Sequence, residues 1–432
     1  MGNFKFALSM LVKESKKSFF YGITLVFTIA VTFIFFNIIN NDYLKNQGIV
    51  SGGATWKQVQ VPFSTSLSFL IIIFCCFMIF FANDFFISRK TSEIAIMTLS
   101  GNSTVRSTLY LIYQTFTLLL IATPFGIGIG RLITPLINYM MYQYLNVHAS
   151  IYKISINTYL ETLIVIIIIL ATLSVFASGY IYRNDISFLL HQEKAMDINP
   201  NNEGKIKPIL FISLYFIGIV MMFMAKHSAN NYIMPTAVGI VAMIGVIKYF
   251  LPEFVKWFKK KYLLEKRYAL IYVSNLAYSI RRALLLIALL MVMVTGMIVI
   301  MATYYNSPRE FITAFIGYIV LTILLVISLI YKYCMEAQTR TVLFLNLWKI
   351  GYTRNEVKKV IKREVFYFYW LLLLIPLIYV LFIAGRFVYY QQLSISLALV
   401  ICLIYLIAII ISGLLTSYNY QKLVMVRFKG GK

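Results

Sequence analysis

Runs of about twenty apolar residues recur along the chain, separated by short polar stretches rich in lysine and arginine. A bilayer's hydrocarbon core is about 30 Å thick and an α-helix rises about 1.5 Å per residue, so each run predicts one transmembrane helix. Ten are counted, with cores at 19–39, 67–87, 109–130, 158–182, 209–224, 233–250, 283–304, 310–331, 366–383 and 394–417. The first run is long enough to span the bilayer and is read as retained, not cleaved. The expected fold is all-α: a polytopic membrane protein of about ten transmembrane helices.

Composition strengthens this picture. With 61% of residues hydrophobic and 12% charged, too little polar surface remains to cover a soluble domain. The formal charge of +24 does not imply nucleic acid, because the basic residues lie between apolar runs and form no compact patch. Placing both termini in the cytoplasm puts 32 of the 39 Lys and Arg residues on the inner side, which supports that topology and an even number of spans. An anionic membrane surface and an acidic cytosolic partner would then meet the charge. Cys75, Cys76, Cys334 and Cys402 lie within or near the ends of apolar runs and read as inert core thiols.

Two pieces of the pattern recur. Residues 4–17 and 268–282 each place apolar residues at helical spacing ahead of a basic end and then enter a span, as suits a helix along the inner membrane surface. The second piece is SRKTSEIAIMTLSGNSTVRS after the second span and QTRTVLFLNLWKIGYTRNEV after the eighth. An offset of about 250 pairs Gly101 with Gly351 and Thr91 with Thr341. Each copy predicts a short cytoplasmic helix, 91–99 or 341–349, stopped where glycine supplies a left-handed backbone. Ile94, Ile96 and Met97, and Leu343, Phe344 and Leu347, would face the cytosol unless a partner groove or neighbouring loops covered them.

At these residues the chain resembles the FtsX/MacB superfamily of ABC transporter permeases, and within it the bacitracin-type antimicrobial peptide transporters. The resemblance implies a duplicated 4+2+4 arrangement. A first four-helix repeat would occupy 1–183 with coupling segment 88–107, a cytoplasmic linker and central helix pair 184–255, and a second repeat 256–432 with coupling segment 338–357. It further implies that Arg89, Lys90, Thr91, Glu93, Ile94, Ile96, Met97 and Gly101, with Thr341, Phe344, Leu347 and Gly351, seat in grooves of a separate, dimeric ATPase. That partner would carry ATP and magnesium, and this chain no cofactor. Arg89, Lys90, Glu93 and Gly101 match the family motif directly, whereas Leu343 stands where Glu93 stands. Bacitracin-type permeases also carry a large extracellular domain between the seventh and eighth spans, where only residues around 305–309 are present here. The longest outer segment, 41–65, reads as a loop or small cap.

The chain lacks a GxxxxGK[ST] phosphate loop, so ATP hydrolysis would belong to another chain. His148, His191 and His227 are predicted in separate loops without metal or triad spacing. Asp84, Glu161, Glu310 and Glu364 fall near span ends where water can solvate them, against a proton-driven carrier. Arg131 and Arg386 read as snorkelling anchors, with an anionic headgroup as the alternative. Pro124, Gly126, Gly128 and Gly130, and Pro376, permit bending or close helix packing. The run 256–267 reads as a topology determinant and lipid-surface anchor.

The expected protein is therefore a non-catalytic, multi-pass permease subunit of a bacterial plasma membrane. It would handle an antimicrobial peptide or lipid-linked amphipathic substrate in resistance, immunity or export, with membrane lipids, the ATPase and a sensor kinase as candidate partners. The richness in Ile, Lys and Asn associates it with a low-GC Gram-positive source. Two alternatives stay open: a membrane regulator relaying ATPase motion to a kinase or hydrolase, and a secondary transporter.

Overall fold

The structure is a computed structural model that describes residues 3–13, 15–41, 43, 63–183, 207–224, 232–263, 268–391 and 393–429. Most of the outer segment 41–65, the linker at 184–206, His191, His227 and residues 264–267 lie outside them. The elements in chain order are α1 (Asn3–Lys13), α2 (Ser15–Asn40), α3 (Phe63–Leu99), α4 (Thr104–Leu145), α5 (Ile156–Arg183) and α6 (Ile209–Met224). There follow α7 (Ile233–Gly245), α8 (Leu251–Phe258), α9 (Ala269–Thr303), α10 (Pro308–Lys349), α11 (Arg354–Tyr389) and α12 (Ile395–Lys429). π-helical turns at Val246–Phe250 and Lys259–Leu263 join and follow α8.

Among the described residues, nine helices are long and apolar enough to cross a membrane. They coincide with nine of the ten expected spans. The fifth, Ile209–Met224, is a 16-residue apolar helix, which at 1.5 Å per residue reaches about 24 Å, short of a full bilayer core. Only four residues, 304–307, separate α9 from α10, so the connection holds no folded domain.

The chain forms two compact units. The first comprises Met1–Asn202 with Pro308–Thr313, the second Glu203–Ser307 with Ala314–Lys432. In the first, α2 is the central helix. Thr24, Thr28 and Thr32 repeat every four residues along it, each hydroxyl donating to the carbonyl one turn back at 2.8–3.0 Å. That bond satisfies the hydroxyl where no water reaches and lets small polar residues face neighbouring helices. Gly126 and Gly130 on α4 let it close on α2: a Cβ on Gly126 would stand 2.7 Å from Ile29, and one on Gly130 2.9 Å from a Phe33 ring carbon. Gly128 differs from the packing expectation, for a Cβ there meets nothing within 4 Å.

In the second unit α6 packs against α7 through Gly218 and Gly239. The Tyr379 hydroxyl of α11 donates to the Pro235 carbonyl at 2.6 Å. Tyr318 of α10 reaches the Ile401 carbonyl of α12, and Tyr369 of α11 shares its hydroxyl with Ser412 and Thr416 of α12. Each tyrosine spends its ring on packing and its one polar atom on a fixed acceptor or hydroxyl. Arg386, near the end of α11, donates to the Phe223 carbonyl close to the last residues of α6. It thus ties down a helix C-terminus.

Both segments expected to lie along the membrane surface are helical. Residues 3–13 form α1, with Phe4, Leu8 and Val12 in an exposed stripe at four-residue spacing and Ala7 buried behind it. Residues 269–282 run without a break into the seventh span as the start of α9. Nothing between Ser274 and Ala283 interrupts the hydrogen-bond ladder, as proline or glycine would.

Candidate functional site

Each unit carries one long helical hairpin, α3 to α4 in the first and α10 to α11 in the second. The expected short helices at 91–99 and 341–349 are not separate. They are the last turns of α3 and α10, which run through span and tip in 37 and 42 residues. Neither SRKTSE nor AQTRTV contains a helix breaker, so the backbone carries on past the membrane. At 1.5 Å per residue α10 is about 63 Å long, twice the hydrocarbon thickness.

The two turns share one construction at an offset of 250. Gly101 has φ +85° and Gly351 φ +100°, a left-handed backbone that glycine adopts without steric cost. The N–H of Gly101 donates to the Thr98 carbonyl at 3.1 Å and that of Asn102 to Met97 at 3.1 Å. Gly351 donates to Trp348 at 2.9 Å and Tyr352 to Leu347 at 3.1 Å. These paired bonds, spanning three and five residues, form a Schellman closure in both copies. Ser103 and Thr353 then cap the next helices, each side chain accepting the N–H three residues on, from Arg106 and Glu356. Glu356 also reaches back to the Thr353 N–H at 2.7 Å, completing a capping box. The TRNE sequence announced that box; Ser103 was equally readable two residues after Gly101.

The candidate side chains divide into two sets. Ile94 is fully buried in a cluster with Ala7, Ile87, Ala95, Tyr110, Leu111, Ala177 and Ile181, with Met97 packed on its edge. Phe344 is fully buried too, its ring 6.1 Å from Tyr420. Thr91, Lys90 and Thr341 are likewise inside the protein. Of the covers weighed for Ile94 and Phe344, a partner groove or the protein itself, the structure shows the protein itself, through helices of their own unit and not loops. Glu93 does not point free either. It accepts from Lys90 at 3.2 Å and from the Tyr110 hydroxyl at 2.8 Å. Arg89 stands on α3, its side chain outside the described ones.

What the tips present is a smaller apolar surface. Ile96 is 60% exposed and Leu99 62%, with Val105 exposed across the turn. In the second copy Leu343, Trp348 and Ile350 are exposed, Ile350 to 72%, with Leu347 half-buried. Leu99, Val105, Trp348 and Ile350 escaped the sequence reading, although for Leu99 and Ile350 an apolar residue within two positions of a glycine that closes a helix was a usable signal. An amphipathic pattern says that one face of a helix is buried; it does not say which face until neighbours are placed.

The charged residues expected to be solvated at span ends also sort unevenly. Asp84 is exposed and Glu161 accepts from Asn40. Glu364 is wholly buried and paired with Arg340, which corrects the solvated reading. Arg340 lies beyond the eighth span. Burial alone would lower its pKa, and the carboxylates of Glu364 and Glu336 raise it well above the ordinary guanidinium value, so it stays cationic. Among the described residues no group of three His, Cys, Asp or Glu side chains is placed to hold a metal ion. His148 is exposed just after α4 and lines a shallow cavity with Tyr139 and Asn146.

Residues 65–187, covering α3, its turn, α4 and α5, match the family model described as FtsX-like permease C-terminal. The chain is also 25% identical over 267 residues to a Bacillus subtilis (strain 168) protein described as "Uncharacterized ABC transporter permease YvcS". That match takes in 60% of this chain and 40% of the relative, so the chain spans less than half of that protein's length. With nine bilayer-length apolar helices, the chain is a multi-pass membrane protein, consistent with the bacterial plasma membrane. The matched stretch, similar to an FtsX-like permease domain, contains the first of the chain's two capped hairpins.

Proposed function

We propose that this chain is the membrane-spanning subunit of an ABC transporter, receiving force at its two hairpin tips from a separate ATPase. The observation that carries the reading is the duplicated tip. Two turns with the same glycine closure, 250 residues apart, each display two or three large apolar side chains at the end of a stiff helix that continues into a span. Scattered exposed apolar residues need no explanation; the same small group on matched rigid tips does. A helix end of this kind fits a shallow groove on a partner, with Leu99 and Ile350 as anchors.

Both termini and both tips then lie in the cytoplasm, as the lysine and arginine distribution requires. The two hairpins mark the first and second repeats, and α6 and α7 the central pair. The ATP and magnesium sit on the partner, which works as a dimer. The substrate class, amphipathic or lipid-linked and including antimicrobial peptides, rests on the resemblance of the Phe86–Ser107 stretch to bacitracin-type permeases. Leu99→Glu and Ile350→Glu test the docking. Both positions are exposed, so insertion and folding should persist while co-purification of the ATPase falls at least about tenfold, since each charge would have to be desolvated in an apolar groove. Full recovery of the ATPase with both variants would overturn the assignment.

A further inference from the structure

We propose that each hairpin is latched to the helix leading into its half by a buried polar network that includes one buried cation, Lys90 in the first unit and Arg340 in the second. A push at the tip then moves hairpin and entry helix as one body. The inference rests on the reading that the tips receive force, and it adds where that force goes.

The two cations occupy the same place in the duplication, 250 residues apart, and both are buried. In the first unit the connection is a relay. Lys90 and Glu93 on α3 pair at 3.2 Å, the Tyr110 hydroxyl of α4 donates to Glu93 at 2.8 Å, and the Gln114 amide donates to Tyr110 at 2.8 Å. Gln114 also reaches the Ala7 carbonyl of α1 at 3.4 Å. Rings reinforce the joint, with Phe4 edge-on to Tyr113 and Phe6 tilted against Tyr110.

In the second unit the connection is direct. Arg340 of α10 holds Glu364 of α11, the Ser279 hydroxyl of α9 at 2.9 Å and the Asn275 carbonyl at 3.5 Å. Glu336 bridges Arg340 and Lys332 at 3.5 Å each, and Lys332 donates to the Ser279 carbonyl. Glu364 stands at the position equivalent to Gln114, again by an offset of 250. Lower down, Tyr268 ahead of α9 donates to Glu356 and packs edge-on to Tyr352 beside the turn. The same three-way joint of tip helix, return helix and entry helix is thus built twice from different residues. The packing of apolar helix faces alone calls for no buried cation in either unit, and burying one without partners is costly.

Hydrogen exchange on the purified chain in lipid nanodiscs tests the latch, with no ATPase present. In Arg340→Gln, exchange should rise roughly tenfold at 346–356 and together with it at 269–282; in Lys90→Gln, at 96–106 together with 3–13. Gln114→Ala leaves Lys90 and Glu93 intact and should release 3–13 alone. Should Arg340→Gln fail to fold, Arg340→Lys keeps the charge with fewer donors and should show the same paired pattern at smaller amplitude. A rise confined to peptides around the substituted residue, or a uniform loss across the unit, would overturn the latch. Undiminished ATPase docking in the tip variants would instead strike the proposed function and leave this result standing.

Discussion

Glu364 shows how a single carboxylate can be read wrongly from its position in the chain. Its place at the start of a span suggested water, yet the helix that carries it turns that face inward onto Arg340 and Ser279. Breaking a buried pair costs about 3–5 kcal/mol when the remaining charge has no other partner, and less here because Glu336 stays 3.5 Å from Arg340. Glu364→Gln should therefore lower the apparent melting midpoint of the purified protein clearly, and Lys358→Gln, at an exposed position on α11, should leave it unchanged. The i,i+3 spacing of Lys90 and Glu93 was visible in the sequence, but their burial was not, because it depends on Tyr110 and Gln114 arriving from another helix. Glu93→Lys is accordingly expected to break this internal brace instead of repelling an ATPase groove. The glycines were more legible. Gly101→Ala and Gly351→Ala meet no atom within 4 Å, so their cost is the left-handed backbone alone, about 1–2 kcal/mol each by thermal or denaturant unfolding.

At the scale of elements, periodicity and run length placed nine spans on helices that are observed, because an apolar run of bilayer length leaves the backbone no other way to satisfy its hydrogen bonds. The ends of the helices were not legible in the same way. A polar stretch such as SRKTSE marks where the membrane ends, and it is equally compatible with helix or loop, so the tips looked separate when they are continuous with α3 and α10. Small residues sort by neighbours, not by motif. Gly239→Ala would set a Cβ 2.1 Å from the Tyr379 hydroxyl, which is already committed to Pro235, so α6, α7 and α11 must shift, at about 1–3 kcal/mol. Gly128→Ala should be neutral or slightly stabilising, because its Cβ enters open space and alanine favours helix by about 1 kcal/mol. Comparing the two variants by thermal unfolding in one detergent separates packing from propensity.

For the whole molecule, the account needs the two tips on one side of the membrane, the side of the ATPase. The internal duplication was legible from the pairs Gly101 with Gly351 and Thr91 with Thr341, and the structure extends it to capping residues, closure bonds and buried cations at one constant offset. A topology reporter fused at Gly52 should report the outer side, and one fused after Lys261 the cytoplasm, in agreement with the charge distribution. The most direct test of docking places a photo-crosslinking amino acid at Leu99 and, separately, at Ile350, activates it in living cells, and identifies the adducts by mass spectrometry. The account predicts that both positions capture the same nucleotide-binding chain, one carrying a Walker phosphate loop. Adducts only with lipid or with extracellular proteins, in a preparation that is still active, would contradict it.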